Sequence, residues 1–252
     1  LTNLDAVERN SGGQALKDEV LQKLEALAEE SYKKFSSGLI PTISTDRILG
    51  VRIPDLRKMA TLMLRDHPLE LAEYFQILSE ASQSNGCYQE EKLLWGILLS
   101  KVRLDDIDRM ASYDNFVPAI DNWAVCDIAC GSFPWVQKNP DLWLEFFQRY
   151  LQCQNEFEIR FGVVMILGNF IKDDTIDWVL DQLSKVNHPA YYVTMALGWT
   201  LAECYVRFPE KTEMLLANGS LPTPVQNKTI QKIRESNCVS RENKEHMKGY
   251  KR

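Results

Sequence analysis

Apolar residues recur at three- and four-residue spacing along almost the whole chain. In ALKDEVLQKLEALAEESYKKF (15–35), Leu16, Val20, Leu24 and Leu27 fall on one face, the stripe of an amphipathic helix. The same period runs through PDLRKMATLML (54–64), EEKLLWGILLSKV (90–102), PDLWLEFFQRYLQ (140–152), EFEIRFGVVMILGNF (156–170), DTIDWVLDQLSKV (174–186), AYYVTMALGWTLAECYVRF (190–208) and PVQNKTIQKIRES (224–236). No two-residue alternation flanked by hairpin turns persists, so the pattern predicts an all-α protein. Pro118, Pro140, Pro189, Pro209 and Pro224 each stand near a helix start, and Asp173 and Asp174 lie where a cap is wanted. Long apolar helices are expected from near 118, 157, 190 and 224, 33–39 residues apart, with a shorter amphipathic helix in each gap. This is a helix-pair repeat, the pattern of an α-solenoid of HEAT-like type. A compact irregular bundle is the alternative. One domain over 1–252 is expected, with residues 1–15 flexible.

The chain has 252 residues and is 45% hydrophobic, enough for a full core. Its first residue is Leu1, which reads as a trimmed start, and the polar stretch that follows is no signal peptide. The most apolar run, FGVVMILGNFI (161–171), is too short to span a bilayer and is broken by Gly168 and Asn169. A soluble, cytoplasmic, monomeric protein is expected. Six cysteines (Cys87, Cys126, Cys130, Cys153, Cys204 and Cys238) form no CxxC pair, and the only histidines are His67, His188 and His246. Cys126 and Cys130 are four apart, but zinc would need two further ligands nearby. Buried reduced thiols are the better reading, with no metal and no cofactor. The net charge of −6 disfavours indiscriminate nucleic-acid binding, yet it is unevenly spread. From Lys228 on, eight basic and three acidic residues give +5, which leaves −11 on the rest. That tail is either a solvated terminal segment or a local field for phosphates.

One short stretch is out of character. NWAVCD (122–127) sets Trp123 and Asp127 four residues apart in a greasy helical run, so an indole and a carboxylate share one patch. A core would avoid that aspartate unless it were paired. In the repeat register Asp127, Arg160 and Trp199 fall on the first helices of three successive pairs, which would line one wall of a solenoid. Taken singly, each residue has an ordinary explanation: Arg160 snorkels or pairs with Glu156, and Asp127 salt-bridges Arg160. Taken together they are less ordinary. Indole faces attract cations, a carboxylate stabilises an oxocarbenium-like sugar, and a guanidinium suits a phosphate. The set fits cleavage of a glycosidic bond beside a phosphate. Lys232 and Arg234, and more weakly Arg52 and Arg57, are further candidates for phosphate contact.

These residues carry a resemblance. ILGVRIPDLRKMA (48–60), IDNWAVCD (120–127), NEFEIRFGVVMIL (155–167) and YYVTMALGWTLAECYVRFPEK (191–211) resemble, in order, segments of the AlkD-like HEAT-repeat DNA glycosylases, the DNA alkylation repair proteins. The similarity runs from about residue 20 to the C-terminus. It implies a right-handed, C-shaped solenoid whose concave groove cradles duplex DNA. It also implies excision of cationic N3- and N7-alkylated purines without drawing the base into a deep pocket. Trp123 and Trp199 match the family's paired tryptophans, Asp127 its catalytic aspartate and Arg160 its phosphate-contacting arginine. The chain departs from the pattern at KKFSSGLIPTISTDRILGV (33–51). There Ser36, Ser37, Gly38 and Pro41 are expected to break a short helix that active members carry. The alternative function is therefore a weakly active or inactive relative that binds nucleic acid or protein in its groove.

Overall fold

The structure is a computed structural model in which residues 3–252 are described, with side chains from Gly12 onward. Among the described residues there are fourteen α-helices, a few 3-10 turns and no strand, as the helical period predicts. None of these helices is long and apolar enough to cross a membrane. The chain divides into two compact units, 1–129 and 130–252.

The first unit holds α1 (Asn3–Leu27), α2 (Glu30–Leu39), α3 (Ile53–Asp66), α4 (Leu71–Gln83), α5 (Gln89–Lys101), α6 (Asp106–Phe116) and α7 (Trp123–Ala129). Helix α5 is buried on every side from Gln89 to Leu99, so it needs neighbours all round. It finds α3 on one flank and α7 on the other, while α4 packs on α1 and α6. Burying Trp95, Leu94 and Leu98 to 0% exposure contributes roughly 1.5–3 kcal/mol each.

Three expectations change here. The run 15–35 is two helices, because Glu29 adopts an extended conformation and its N–H is tied to the Gly50 carbonyl at 3.0 Å. Ser36, Ser37 and Gly38 do not interrupt the helix, since α2 runs through all three; of the expected breakers only Pro41 falls at its end. The Ser37 hydroxyl bonds back to the Lys33 carbonyl at 2.8 Å, and the helix stops only at Ile40, ahead of Pro41. A serine hydroxyl can turn onto its own helix, and a glycine in a last turn costs only about 1 kcal/mol. The helix expected from 118 is a 3-10 turn, Val117–Ala119, followed by the seven-residue α7. Residues 1 and 2 of the segment 1–15 lie outside the described residues, and from Asn3 the backbone is helical.

The second unit holds α8 (Pro140–Tyr150), α9 (Glu156–Asn169), α10 (Ile176–Lys185), α11 (Tyr191–Arg207), α12 (Pro209–Ala217), α13 (Thr223–Glu235) and α14 (Arg241–His246). Helices α9, α11 and α13 lie side by side, and α8, α10 and α12 back them. This alternation of long and backing helices is the expected pair repeat. Asn155 starts α9 by accepting from the Phe157 and Glu158 N–H groups at 2.8 and 3.4 Å. Helix α10 begins at Ile176 after Thr175, without a side-chain cap from Asp173 or Asp174. The core between α8 and α9 is aromatic: Trp143, Phe147 and Phe161 are fully buried and meet at ring-centroid distances of 5.5–6.0 Å.

Candidate functional site

Helix α7 is built to present two side chains. Asn122, fully buried, accepts the Ala124 and Val125 N–H groups on its Oδ1 at 2.9 and 3.1 Å, an Asx cap that fixes where the helix begins. Trp123 and Asp127 follow one turn apart, both half-buried, with Val125, Cys126 and Ala129 turned into the core. Both line one cleft of about 280 Å³, near the lower end of ligand-sized pockets. The Trp123 indole N–H donates to the Leu39 carbonyl at 3.0 Å, which anchors the ring to the end of α2. Tyr32, Phe35 and Leu39 of α2 form the opposite wall. Phe35 and Leu39 are 60% and 49% exposed, so this wall is apolar and open to solvent.

The floor comes from a feature that sequence reasoning missed. Gln89, Glu90, Glu91 and Lys92, the first turn of α5, are all buried, at 1–5% exposure. Each has a partner. Gln89 exchanges two hydrogen bonds with Asn122, at 3.2 and 2.9 Å. Glu90 accepts the N–H groups of Leu49, Gly50 and Val51 at 2.9, 2.7 and 3.3 Å. Glu91 accepts the Tyr88 N–H at 2.8 Å, and burial raises its pKa. Lys92 pairs with Asp121 at 2.5 Å. Such a turn reads as the usual acidic start of a helix. The available signal was the helix behind it: LLWGILL is apolar all round, and a helix enclosed on every side takes its first turn inside too. Two carboxylates therefore line the cleft, Glu90 and Asp127. Glu90 accepts from three backbone donors at once, an arrangement that holds its carboxylate in place.

In the second unit, Arg160 is buried at 6% exposure, and its Nη1 donates to the Tyr192 carbonyl at 3.1 Å. It thus ties α9 to the first turn of α11. Trp199 lies further along α11 and is 37% exposed. Its neighbour Gly198 lets α11 approach α13 closely: a Cβ there would stand 2.4 Å from Lys228 Cγ and 3.1 Å from the Lys228 carbonyl carbon. Lys232 and Arg234 are on α13, Lys232 paired with Glu235 at 2.9 Å and Arg234 exposed. Arg52, just ahead of α3 in the first unit, is held by both oxygens of Glu29 at 2.8 and 2.9 Å and stacks over Tyr32. Arg57 is exposed on α3.

Cys87, Cys126 and Cys204 are buried, and burial pushes Cys87 to about 11 and Cys204 to about 12, the mark of inert thiols. Cys130 and Cys153 are half-buried and Cys238 is exposed, so the expectation of buried thiols holds for only three of the six. Among the described residues no group of three His, Cys, Asp or Glu side chains could hold a metal ion. Compared with known proteins, residues 20–247 match the model of a family described as DNA alkylation repair enzyme. No curated protein matches the chain.

Proposed function

Because the chain belongs to the DNA alkylation repair enzyme family, we propose that it is a DNA glycosylase hydrolysing the N-glycosidic bond of cationic N3- and N7-alkylated purines in duplex DNA. The observation that carries this reading is the cleft where Trp123 and Asp127 stand one turn apart on α7. An alkylated purine is positively charged before the reaction begins. As the C1′–N bond lengthens, its electron pair passes to the purine and neutralises it, and positive charge develops on the sugar. Asp127 supplies negative charge next to that sugar, and water then adds at C1′ and gives up a proton to solvent. The Trp123 ring offers a π face to the cationic base. In the second unit, described by itself, Trp199 is kept in this reading as the candidate for a second indole face and Arg160 as the candidate for a phosphate contact. No nucleophilic side chain and no metal is required, since the leaving group is already activated. The contact of Trp123 with the end of α2 supports this reading over that of an inactive groove-binding scaffold.

Purified protein incubated with methylated duplex DNA is expected to release 7-methylguanine or 3-methyladenine above the spontaneous rate. It is expected to leave uracil in place, because a neutral base has no general acid here to help it depart. Release no faster than in buffer would end the glycosylase reading. DNA affinity is expected to fall steeply with salt, and Arg234→Ala is expected to lower the slope of log K against log[salt] by about one. An affinity indifferent to salt would count against phosphate contact by α13.

A further inference from the structure

We propose that Gln89 and Asn122 are the positioning residues of the cleft: their reciprocal amide pair sets the axial place and rotation of α7, and with it the Asp127 carboxylate. The argument begins with reach. Asp127 can act only where its oxygens stand, and α7 has just seven residues, too few to hold itself in place through its own hydrogen bonds. Its start is fixed from outside. Asn122 uses both ends of its amide at once. The oxygen caps two α7 N–H groups and accepts from Gln89. The nitrogen donates to Gln89 and, at 2.8 Å, to Asp121. Asp121 is held in turn by Lys92. The side-chain bonds that cap the start of α7 thus lead back to the first turn of α5.

The same turn fixes the other side of the cleft. Through Glu90 it holds the 49–51 backbone, and Gly50 holds the start of α2 through the Glu29 N–H. Gln89, Glu90, Trp123, Asp127 and Leu39 all line the cleft, so α5 carries both walls on adjacent residues. The pair Gln89–Asn122 is neutral, fully enclosed and matched donor to acceptor on both sides. A side chain that only filled space would not need that matching. Buried amide pairs of this kind specify one geometry, because any slip leaves polar atoms without partners.

The kinetic part of the test rests on the glycosylase reading; the exchange part does not. Gln89→Met keeps the size of the side chain and removes the pairing, while Asn122 keeps its caps on α7. Single-turnover release of 7-methylguanine is expected to slow about 10–100-fold, the range a displacement near 1 Å produces, with the DNA dissociation constant moving less than threefold. Hydrogen exchange at the Ala124 and Val125 amides is expected to accelerate, with exchange in α9 and α11 unchanged. Asn122→Asp, which keeps the cap and loses both donated bonds, is expected to behave alike. In the double variant the two rate losses are expected not to add, as for one shared interaction. A variant that melts at lower temperature yet releases base at the wild-type rate and protects α7 normally would overturn the proposal. If the wild-type protein releases no base, the glycosylase reading fails alone. Unaltered exchange at Ala124 and Val125 in Gln89→Met would then overturn the positioning role by itself.

Discussion

Replacing Asp127 by asparagine is expected to slow excision of alkylpurines about a hundredfold while leaving DNA affinity equal or slightly higher. The side chain keeps its shape and hydrogen-bonding reach but loses its charge, so the change isolates electrostatics. Two unit charges 4 Å apart interact by about 1 kcal/mol in water and about 4 kcal/mol at the effective dielectric of a protein surface. Asp127 is half-buried in a largely apolar cleft, between those limits. An intermediate value of roughly 2–4 kcal/mol corresponds to about 30- to 1,000-fold in rate. The charge matters most when the sugar is most positive, so the loss belongs in the rate of the chemical step and not in binding. Removing a negative charge that would lie near phosphates explains the unchanged or tighter binding. Single-turnover kinetics with excess protein separate the two. A variant that binds weakly but excises at the wild-type rate once bound would assign Asp127 to recognition instead. Trp123→Ala makes the contrast. It is expected to lower the rate more moderately and to loosen α2 as well, because the indole also holds the Leu39 carbonyl.

The helical class and the alternation of long and backing helices follow from a 3.6-residue period, which a single sequence displays openly. The placement of Trp123 and Asp127 on one face was legible for the same reason, since four residues on a helix is a geometric statement. What surrounds them was not. The Trp123 contact to Leu39 joins residues 84 apart, and the bonds from Glu90 reach back 39–41 residues; no local pattern announces such pairs. Gln89–Lys92 reads as a solvated helix start because charged residues are almost never fully buried unless paired, and the partners are distant in sequence. The misjudged α2 has another cause. Two serines in a row lower helix propensity by fractions of a kcal/mol each and the glycine by about 1 kcal/mol, and propensity is a weak prior. Ties at both ends outweigh it: the Gly50 carbonyl accepts the Glu29 N–H, and the Leu39 carbonyl accepts the Trp123 indole N–H.

Two glycines on either side of that wall are expected to respond oppositely to the same substitution. Gly50 has φ +96°, a conformation that side chains with a Cβ rarely adopt. A Cβ there would meet the Glu29 carbonyl oxygen at 2.5 Å and the Lys33 nitrogen at 2.8 Å. These are backbone atoms and cannot swing aside. Gly50→Ala is therefore expected to cost about 2–4 kcal/mol, from backbone strain and forced displacement together. In a unit of this size that amounts to a fall in melting temperature of roughly 10 °C. The damage should spread in a definite direction. The Gly50 carbonyl holds the Glu29 N–H and its own N–H donates to Glu90, so α2 loses its tether to α5. Trypsin is then expected to cut faster at Lys33 and Lys34. Gly38 is the opposite case. It lies in α2 with nothing within 4 Å of its would-be Cβ. Gly38→Ala is expected to add about 0.5–1 kcal/mol by restricting the unfolded chain and favouring the helix. It should also slow cleavage at the two lysines. If Gly50→Ala melted like the wild type, the tie between α2 and α5 would not hold the cleft wall. If Gly38→Ala destabilised the protein, α2 would not be the helix that faces Trp123.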